Sequence, residues 1–434
     1  MNLRWLASLL ACLIVGLGSS VLAGAAQFPQ DATFTTLITT PRAIEGLTGD
    51  NAGNLYTGGA AITSLGDTFC PVWSINPASS SPSLILVGKL PTPCTPLGIA
   101  FNDIGDLFVA DGANAKIWTF TPNAGTPPTA TTFAIGVPGA NGVAFDRDGN
   151  LWTSDGVTGQ GRVWKIIGDG ANCTLPNPIN CVEVFRIQLM ANEVNLVSGV
   201  GGVGRDVRAL PPGVILVTAT TRNAELNTVC PAPFTTPCAL GSQPLVANGL
   251  AFNKKGDLFN IDTARGALWK IEFDRNGNLK SPIGCDTIFI ANTLCLSNVF
   301  VAHPILEGGD GIALDKDENI WVDANERNAV AVVTKNGEVF EIFRNPVNLP
   351  NPVGFGVGLR NAGDQNGVGN DHILEFPTSP FLTGKLFCTS MSDGNRRDNS
   401  PNTGGEIVPG TAILGKISCM DQELKIPGLP LPVR

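Results

Sequence analysis

Polar and apolar positions fall into a unit that recurs along the chain. A polar residue and a Gly are followed by a short apolar strand, a polar turn and a second apolar strand that ends at an Asp. The clearest copies are Asn248-Gly-Leu-Ala-Phe-Asn-Lys-Lys-Gly-Asp-Leu-Phe-Asn-Ile-Asp262 and Asp310-Gly-Ile-Ala-Leu-Asp-Lys-Asp-Glu-Asn-Ile-Trp-Val-Asp323. Further copies begin at Gly98, at Asn141-Gly142 and, more loosely, at Glu45-Gly46. A strand–turn–strand unit repeated at intervals of a few dozen residues predicts an all-β chain folded as one β-propeller, one unit per blade.

The repeats set the expected blades. The first begins near Glu45, with later strands at Val72–Ile75 and Leu84–Val87. The second runs from Gly98 to Ile135 and the third from Asn141 to Ile187. A degenerate unit at Gly204–Thr218 is read as a further blade. Others begin at Asn248 and at Asp310, the latter ending near Ile342. Strands at Lys385–Thr389 and Gly415–Cys419 supply a last sheet, which Phe34–Ile38 from the N-terminal end is expected to complete. The count is therefore six or seven four-stranded blades, with seven preferred, in a single domain over 26–434. Asn345–Asp371, rich in Gly, Asn and Pro, reads as a long loop.

Spacing also predicts position. The innermost strand of a blade comes first, so the residues entering it ring one mouth of the central channel. These are Glu45, Asn141, Arg205, Asp206, Asn248 and Asp310. Asp111, Asp155, Asp262 and Asp323 close the second strands and belong on the same face, further out. The turns Asp146–Asn150 and Asp315–Asn319 belong on the opposite face. They resemble half an EF-hand but place Leu151 and Ile320 where that loop requires Gly, so they read as tight hairpin turns. The tryptophans fall inside predicted strands and read as packing between blades. Glu45, Asn248 and Asp310 are oxygen donors of the kind that hold a hard cation. The same residues before Gly also suit turns that cap a strand entrance.

The chain opens with Arg4, an apolar run from Trp5 to Leu17 and small residues ending at Ala25, which predicts a secretory leader over 1–25. Leu9-Leu10-Ala11-Cys12 only loosely resembles a lipidation signal. Ten cysteines follow Cys12, and nearest-neighbour disulfides are expected at 70/94, 173/181, 230/238, 285/295 and 388/419. No later stretch is long and apolar enough to span a membrane, so the expected location is extracellular or periplasmic. With 28 basic and 37 acidic residues the net charge is −9. That excess disfavours nucleic acid and permits a cation site.

At Glu45-Gly46, Asn248-Gly-Leu-Ala251 and Asp310-Gly311 the chain resembles the SMP-30/gluconolactonase (regucalcin-like) family, within the NHL-type propellers. The resemblance implies a divalent metal, Ca²⁺ or a similar cation, held by Glu45, Asn248 and Asp310. It implies Asp310 as catalytic base and Asn141 and Arg205 as substrate contacts. Gly46 is followed here by Leu47-Thr48 rather than by the family's Pro and aromatic residue, and Leu97 stands where a polar residue is expected. The implied activity is hydrolysis of a lactone or related ester. A non-catalytic propeller that binds an extracellular glycan, peptide or surface partner is the alternative. The Gly149–Trp152 turn also resembles propeller lyases of the streptogramin-inactivating type, for which His303 or His372 would be the base.

Overall fold

A computed structural model describes residues 28–29, 32–156, 160–188, 246–285, 287, 289–306, 308–325, 329–344, 374, 376–391 and 414–432. The predicted leader, the 204–218 unit with Arg205, the 230/238 cysteine pair, the 345–371 loop and His372 all lie outside the described residues. Among the described residues no helix is long and apolar enough to cross a membrane.

Strand β1 (Phe34–Thr40) precedes the first blade, which comprises β2 (Thr48–Gly49), β3 (Leu55–Gly58), β4 (Phe69–Ile75) and β5 (Ile85–Pro91). The second blade is β6 (Pro96–Phe101), β7 (Leu107–Asp111), β8 (Lys116–Phe120) and β9 (Thr131–Ile135). The third starts with β10 (Ala140–Phe145), β11 (Leu151–Asp155) and β12 (Arg162–Ile166). A two-residue strand, β13 (Ala171–Asn172), then pairs in parallel with β9, and β14 (Cys181–Arg186) completes the third blade. The fourth is β15 (Ala247–Phe252), β16 (Leu258–Asp262), β17 (Ala267–Ile271) and β18 (Val299–Ala302). The fifth is β19 (Gly309–Leu314), β20 (Ile320–Ala324), β21 (Ala329–Val333) and β22 (Val339–Arg344). In the sixth, β23 (Pro377–Thr383), β24 (Leu386–Met391) and β25 (Gly415–Met420) are joined by β1, which pairs antiparallel with β25. The N-terminal strand thus completes the last sheet, as expected.

The strands read as their depth requires. All residues of β15 and β19 are buried, because inner strands are covered on both faces by neighbouring blades, whereas β9 at an outer edge is largely exposed. Aromatic pairs fill the seams, with Trp152 against Phe252 at 5.6 Å between centroids and Trp321 against Phe387 at 5.1 Å. The hairpin turns are built on Asx side chains. Oδ1 of Asp146 accepts from the amides of Asp148 and Asn150, and Oδ1 of Asp315 from those of Asp317 and Asn319. Trp152 Nε1 donates to Asp146 at 2.9 Å, so the strand carries a polar tie to its own turn.

At the entrances to the inner strands the pairing register breaks between Pro96 and Ile99, Ala140 and Val143, Ala247 and Leu250, and Gly309 and Ile312. Each break is a bulge that holds the residue–Gly pair, and bulges re-aim side chains. The glycines are required by close approach. A Cβ on Gly142 would lie 2.6 Å from the Asn248 carbonyl oxygen, and one on Gly249 2.5 Å from that of Asp310. Gly46, Gly98 and Gly311 meet the carbonyls of Leu97, Asn141 and Thr378 in the same way. Thr378 Oγ1 then donates to Glu45 O at 2.7 Å and closes the ring. The blade of Asn141 is therefore the direct neighbour of the blade of Asn248, and six blades complete the described ring.

Disulfides join Cys70–Cys94, Cys173–Cys181, Cys285–Cys295 and Cys388–Cys419, four of the expected nearest-neighbour pairs. Below the mouth the channel is apolar and holds a cavity of about 90 Å³, lined by inner strands that include Leu47, Ile99, Val143, Leu250 and Ile312. Leu431 and Pro432 meet that cavity at the hairpin end. The C-terminal tail is tied there by Leu429 N to Leu314 O at 2.9 Å and Gly428 N to Gly384 O at 3.1 Å.

Candidate functional site

The structure brings Glu45, Asn248 and Asp310 together from the first, fourth and fifth blades. Asp310 is buried, bonded by the Asn248 side chain and acted on by the charge of Glu45. Burial, then the charges of Glu45 and Asp323, push its carboxyl well above the usual range, against the pull of hydrogen bonds from Asn325 and Asn248. Glu45 is held through its backbone, since its carbonyl accepts from Thr378 Oγ1 and from Ser390 Oγ of the sixth blade.

The residue fifteen places after an entry residue contacts that entry residue's side chain in two blades. In the fourth, Asn248 Nδ2 donates to Thr263 Oγ1 at 3.1 Å, and Thr263 Oγ1 donates onward to Gly309 O at 2.6 Å. In the fifth, Asn325 Nδ2 donates to Asp310 Oδ2 at 2.9 Å. Glycines 112 and 156 hold this place in the second and third blades. Asn141, 4% exposed, lies in the bulge of the third blade with its amide nitrogen beside Gly156.

Asp323 does not belong with Asp111, Asp155 and Asp262, and here the sequence reading is corrected. Those three pair across the sheet with Pro96, Ala140 and Ala247. In the fifth blade the equivalent residue Gly309 pairs with Ala324, so Asp323 comes one residue early. One step along a strand turns a side chain to the other face. The three regular aspartates are satisfied within their own blades. Trp118 Nε1 reaches Asp111 at 3.0 Å, Arg162 reaches Asp155 at 2.7 Å, and Arg265 reaches Asp262 at 2.9 Å. Asp323 instead faces the sixth blade, where its Oδ2 accepts from Thr389 Oγ1 at 2.5 Å. Its Oδ1 has no hydrogen-bond partner among the described residues, nor have Asn325 Oδ1 and Asn260 Oδ1. Burial drives the Asp323 carboxyl well above its usual range.

His303 is not at the mouth. It is exposed just past β18, the outermost strand of its blade, where Nδ1 accepts from Ile305 N at 3.2 Å. The exit from an outer strand cannot serve a channel-centred lyase site, so the lyase expectation loses the described one of its two candidate bases.

The donor set suits a hard cation. Two carboxylates and a carboxamide converge, and the groups whose charge acts most on Asp310 are further acids. Among the described residues no three His, Cys, Asp or Glu side chains form a metal-holding group by themselves.

Comparisons with known proteins agree with the fold. Residues 232–361 match the family described as SMP-30/Gluconolactonase/LRE-like region, a stretch containing Asn248 and Asp310 but neither Glu45 nor Asn141. No curated protein sequence matches the chain. A calcium-binding protein, regucalcin, from Agrobacterium tumefaciens str. C58 superposes with a TM-score of 0.52 at 14% identity, covering 94% of this chain and 99% of that one. A putative gluconolactonase gives 0.46 at 14%, covering 93% and 96%. A luciferin-regenerating enzyme gives 0.48 at 11%, covering 92% and 97%. At 14% identity the likeness to regucalcin is one of fold alone. The resemblance to the SMP-30/gluconolactonase family read from the short motifs is thus met by a family match and by a propeller fold.

Proposed function

We propose that this chain is a secreted member of the SMP-30/gluconolactonase group that hydrolyses a lactone or related ester with a divalent cation, Ca²⁺ by the nature of its donors. The observation that carries the reading is the convergence of Glu45, Asn248 and Asp310 on one mouth from three separate blades. Their oxygens would hold the cation, which when bound polarises a carbonyl oxygen. Asp310 takes the proton of the attacking water. Without the cation, burial and the neighbouring acids Glu45 and Asp323 raise its proton affinity. Ring opening then adds one water across the ester bond, giving a hydroxy acid. The apolar channel below the mouth, met by Leu431 and Pro432 at its far end, keeps bulk water from the rear of the site. Asn141 lies on the same rim and is assigned to the substrate; Arg205 keeps that role only as an expectation. The four described disulfides support export to an oxidising compartment.

Calorimetric titration of Ca²⁺ into the oxidised, metal-stripped mature chain tests the reading, with Asp310→Ala and Asn248→Ala alongside. Micromolar binding that both substitutions abolish in folded protein, followed by turnover in a panel of lactones, is the expected result. No binding by the parent protein would overturn it.

A non-catalytic binding role has one observation in its favour. The hairpin face carries a depression of about 820 Å³ bordered by Asp50, Tyr56, Asn102, Asp103 and Lys254. Under that reading an extracellular glycan or peptide would bind equally well to the parent and to Asp310→Ala.

A further inference from the structure

A side-chain amide binds a cation only through its oxygen, so a ring of Asn and Asp at a channel mouth is useful only if each is turned correctly. In an isolated Asn-Gly turn nothing decides which end of the amide faces the channel. Here two neighbours do. The single hydroxyl proton of Thr263 is committed to Gly309 O at 2.6 Å. Towards Asn248 the hydroxyl can therefore only accept, and Asn248 must present Nδ2 to it, as it does at 3.1 Å. The amide's remaining interaction with protein also uses it as a donor, to Asp310. Both contacts occupy the nitrogen end and leave Oδ1 for the channel.

Asn325 acts on Asp310 in the parallel way. Its backbone N is tied to Gly308 O at 2.8 Å, and its Nδ2 holds Asp310 Oδ2 at 2.9 Å. That fixes the rotation of the carboxylate through one of its oxygens. Thr263 and Asn325 are both fully buried and occupy the same place in successive repeats. In the second and third blades, whose entry residues are Leu97 and Asn141, the place is held by Gly.

We infer that Thr263 and Asn325 are positioning residues of the mouth, Thr263 setting the flip of the Asn248 amide and Asn325 the rotation of the Asp310 carboxylate. The inference rests on the cation reading above. Neither residue touches the cation or the substrate.

The test is Ca²⁺ calorimetry on the stripped full-length mature protein, paired with unfolding temperature with and without Ca²⁺, for Thr263→Val, Thr263→Ser and Asn325→Leu. Thr263→Val keeps the shape and loses the hydroxyl, so Ca²⁺ affinity should fall about 10- to 100-fold, the usual effect of removing a group that orients a ligand. Thr263→Ser restores the hydroxyl and should bind within about twofold of the parent. Asn325→Leu should weaken binding as Thr263→Val does. In both weakened variants the Ca²⁺-induced rise in unfolding temperature should shrink. A merely structural role would lower the metal-free unfolding temperature and leave both affinity and the Ca²⁺-induced rise unchanged, which would overturn the inference while the cation site stood. If Thr263→Val does not fold, Asn325→Leu decides alone. A parent that binds no Ca²⁺ removes the cation reading and this inference together.

Discussion

Asp310 and Asp323 are two acids thirteen residues apart on one blade, and their surroundings give them different work. Asp310 is bonded by amide donors and opens on the mouth; replacing it with Asn keeps those contacts but removes the base. Lactone turnover by Asp310→Asn should fall about 10²- to 10⁴-fold in kcat. Unchanged turnover would take Asp310 out of the chemistry. Asp323 has one hydroxyl partner for a desolvated carboxylate. Asp323→Asn replaces this desolvated acid by a neutral group that can still accept from Thr389, so the metal-free unfolding temperature should rise. A lower temperature would show that the carboxylate is structurally required. The rim carries an ordinary pair for contrast, Arg42 on Asp67 at 2.6 Å. Hydrogen bonds from Arg42 and from Ile62 N hold Asp67 down at about 2. Its folded value lies below its unfolded one, so the stabilisation is present above about pH 4 and is lost as pH falls towards 2. The pair is partly exposed and worth at most about 1 kcal/mol. Asp67→Asn should therefore unfold slightly below the parent at pH 7 and together with it at pH 2. An equal gap at both pH values would refute the assignment.

The element that makes the site is the bulge at the head of each inner strand. Its Gly admits the neighbouring blade's carbonyl, and its polar residue is re-aimed at the channel. Gly249→Ala would put a Cβ 2.5 Å from Asp310 O. It should cost about 1–3 kcal/mol in urea unfolding and weaken cation binding, because the fourth and fifth blades must part. Full stability would mean that the seam is looser than the close approach implies. The residue–Gly repeat made these positions legible in the sequence, because a strand entrance that must clear a backbone carbonyl has no other residue to use. The phase of Asp323 was legible only by counting. It stands thirteen residues after Asp310, whereas the other three closing aspartates stand fourteen after their entry residues. The identity of its partner Thr389 was not legible, since that residue belongs to another blade.

Across the whole molecule, the ring is held by closure and by local staples. Each disulfide among the described residues lies within one blade or its adjoining loop, so chain entropy should rank them by loop length. Replacing both cysteines of the 31-residue Cys388–Cys419 loop by Ser should cost about 3.7 kcal/mol, and those of the 8-residue Cys173–Cys181 loop about 2.5 kcal/mol. Chemical unfolding of the two variants gives the comparison, and a reversed order would show that strain or unfolded-state structure outweighs loop entropy. Sequence alone determined the all-β propeller, the strand–turn units, the tight hairpin turns, the pairing of the four described close cysteine pairs and the sheet completed by Phe34–Ile38. These depend on local turn chemistry, period-two burial and short loop closure, all of which are written in neighbouring residues. Tertiary structure decided that Asn141 and Asn248 head adjacent blades, that Glu45 reaches Asp310 across the ring, that His303 stands past an outer strand away from the mouth, and that Thr263 and Asn325 have their hydrogen bonds committed. Those outcomes depend on how a closed ring juxtaposes residues hundreds of positions apart and on which donors are already in use. Neither has a local signature.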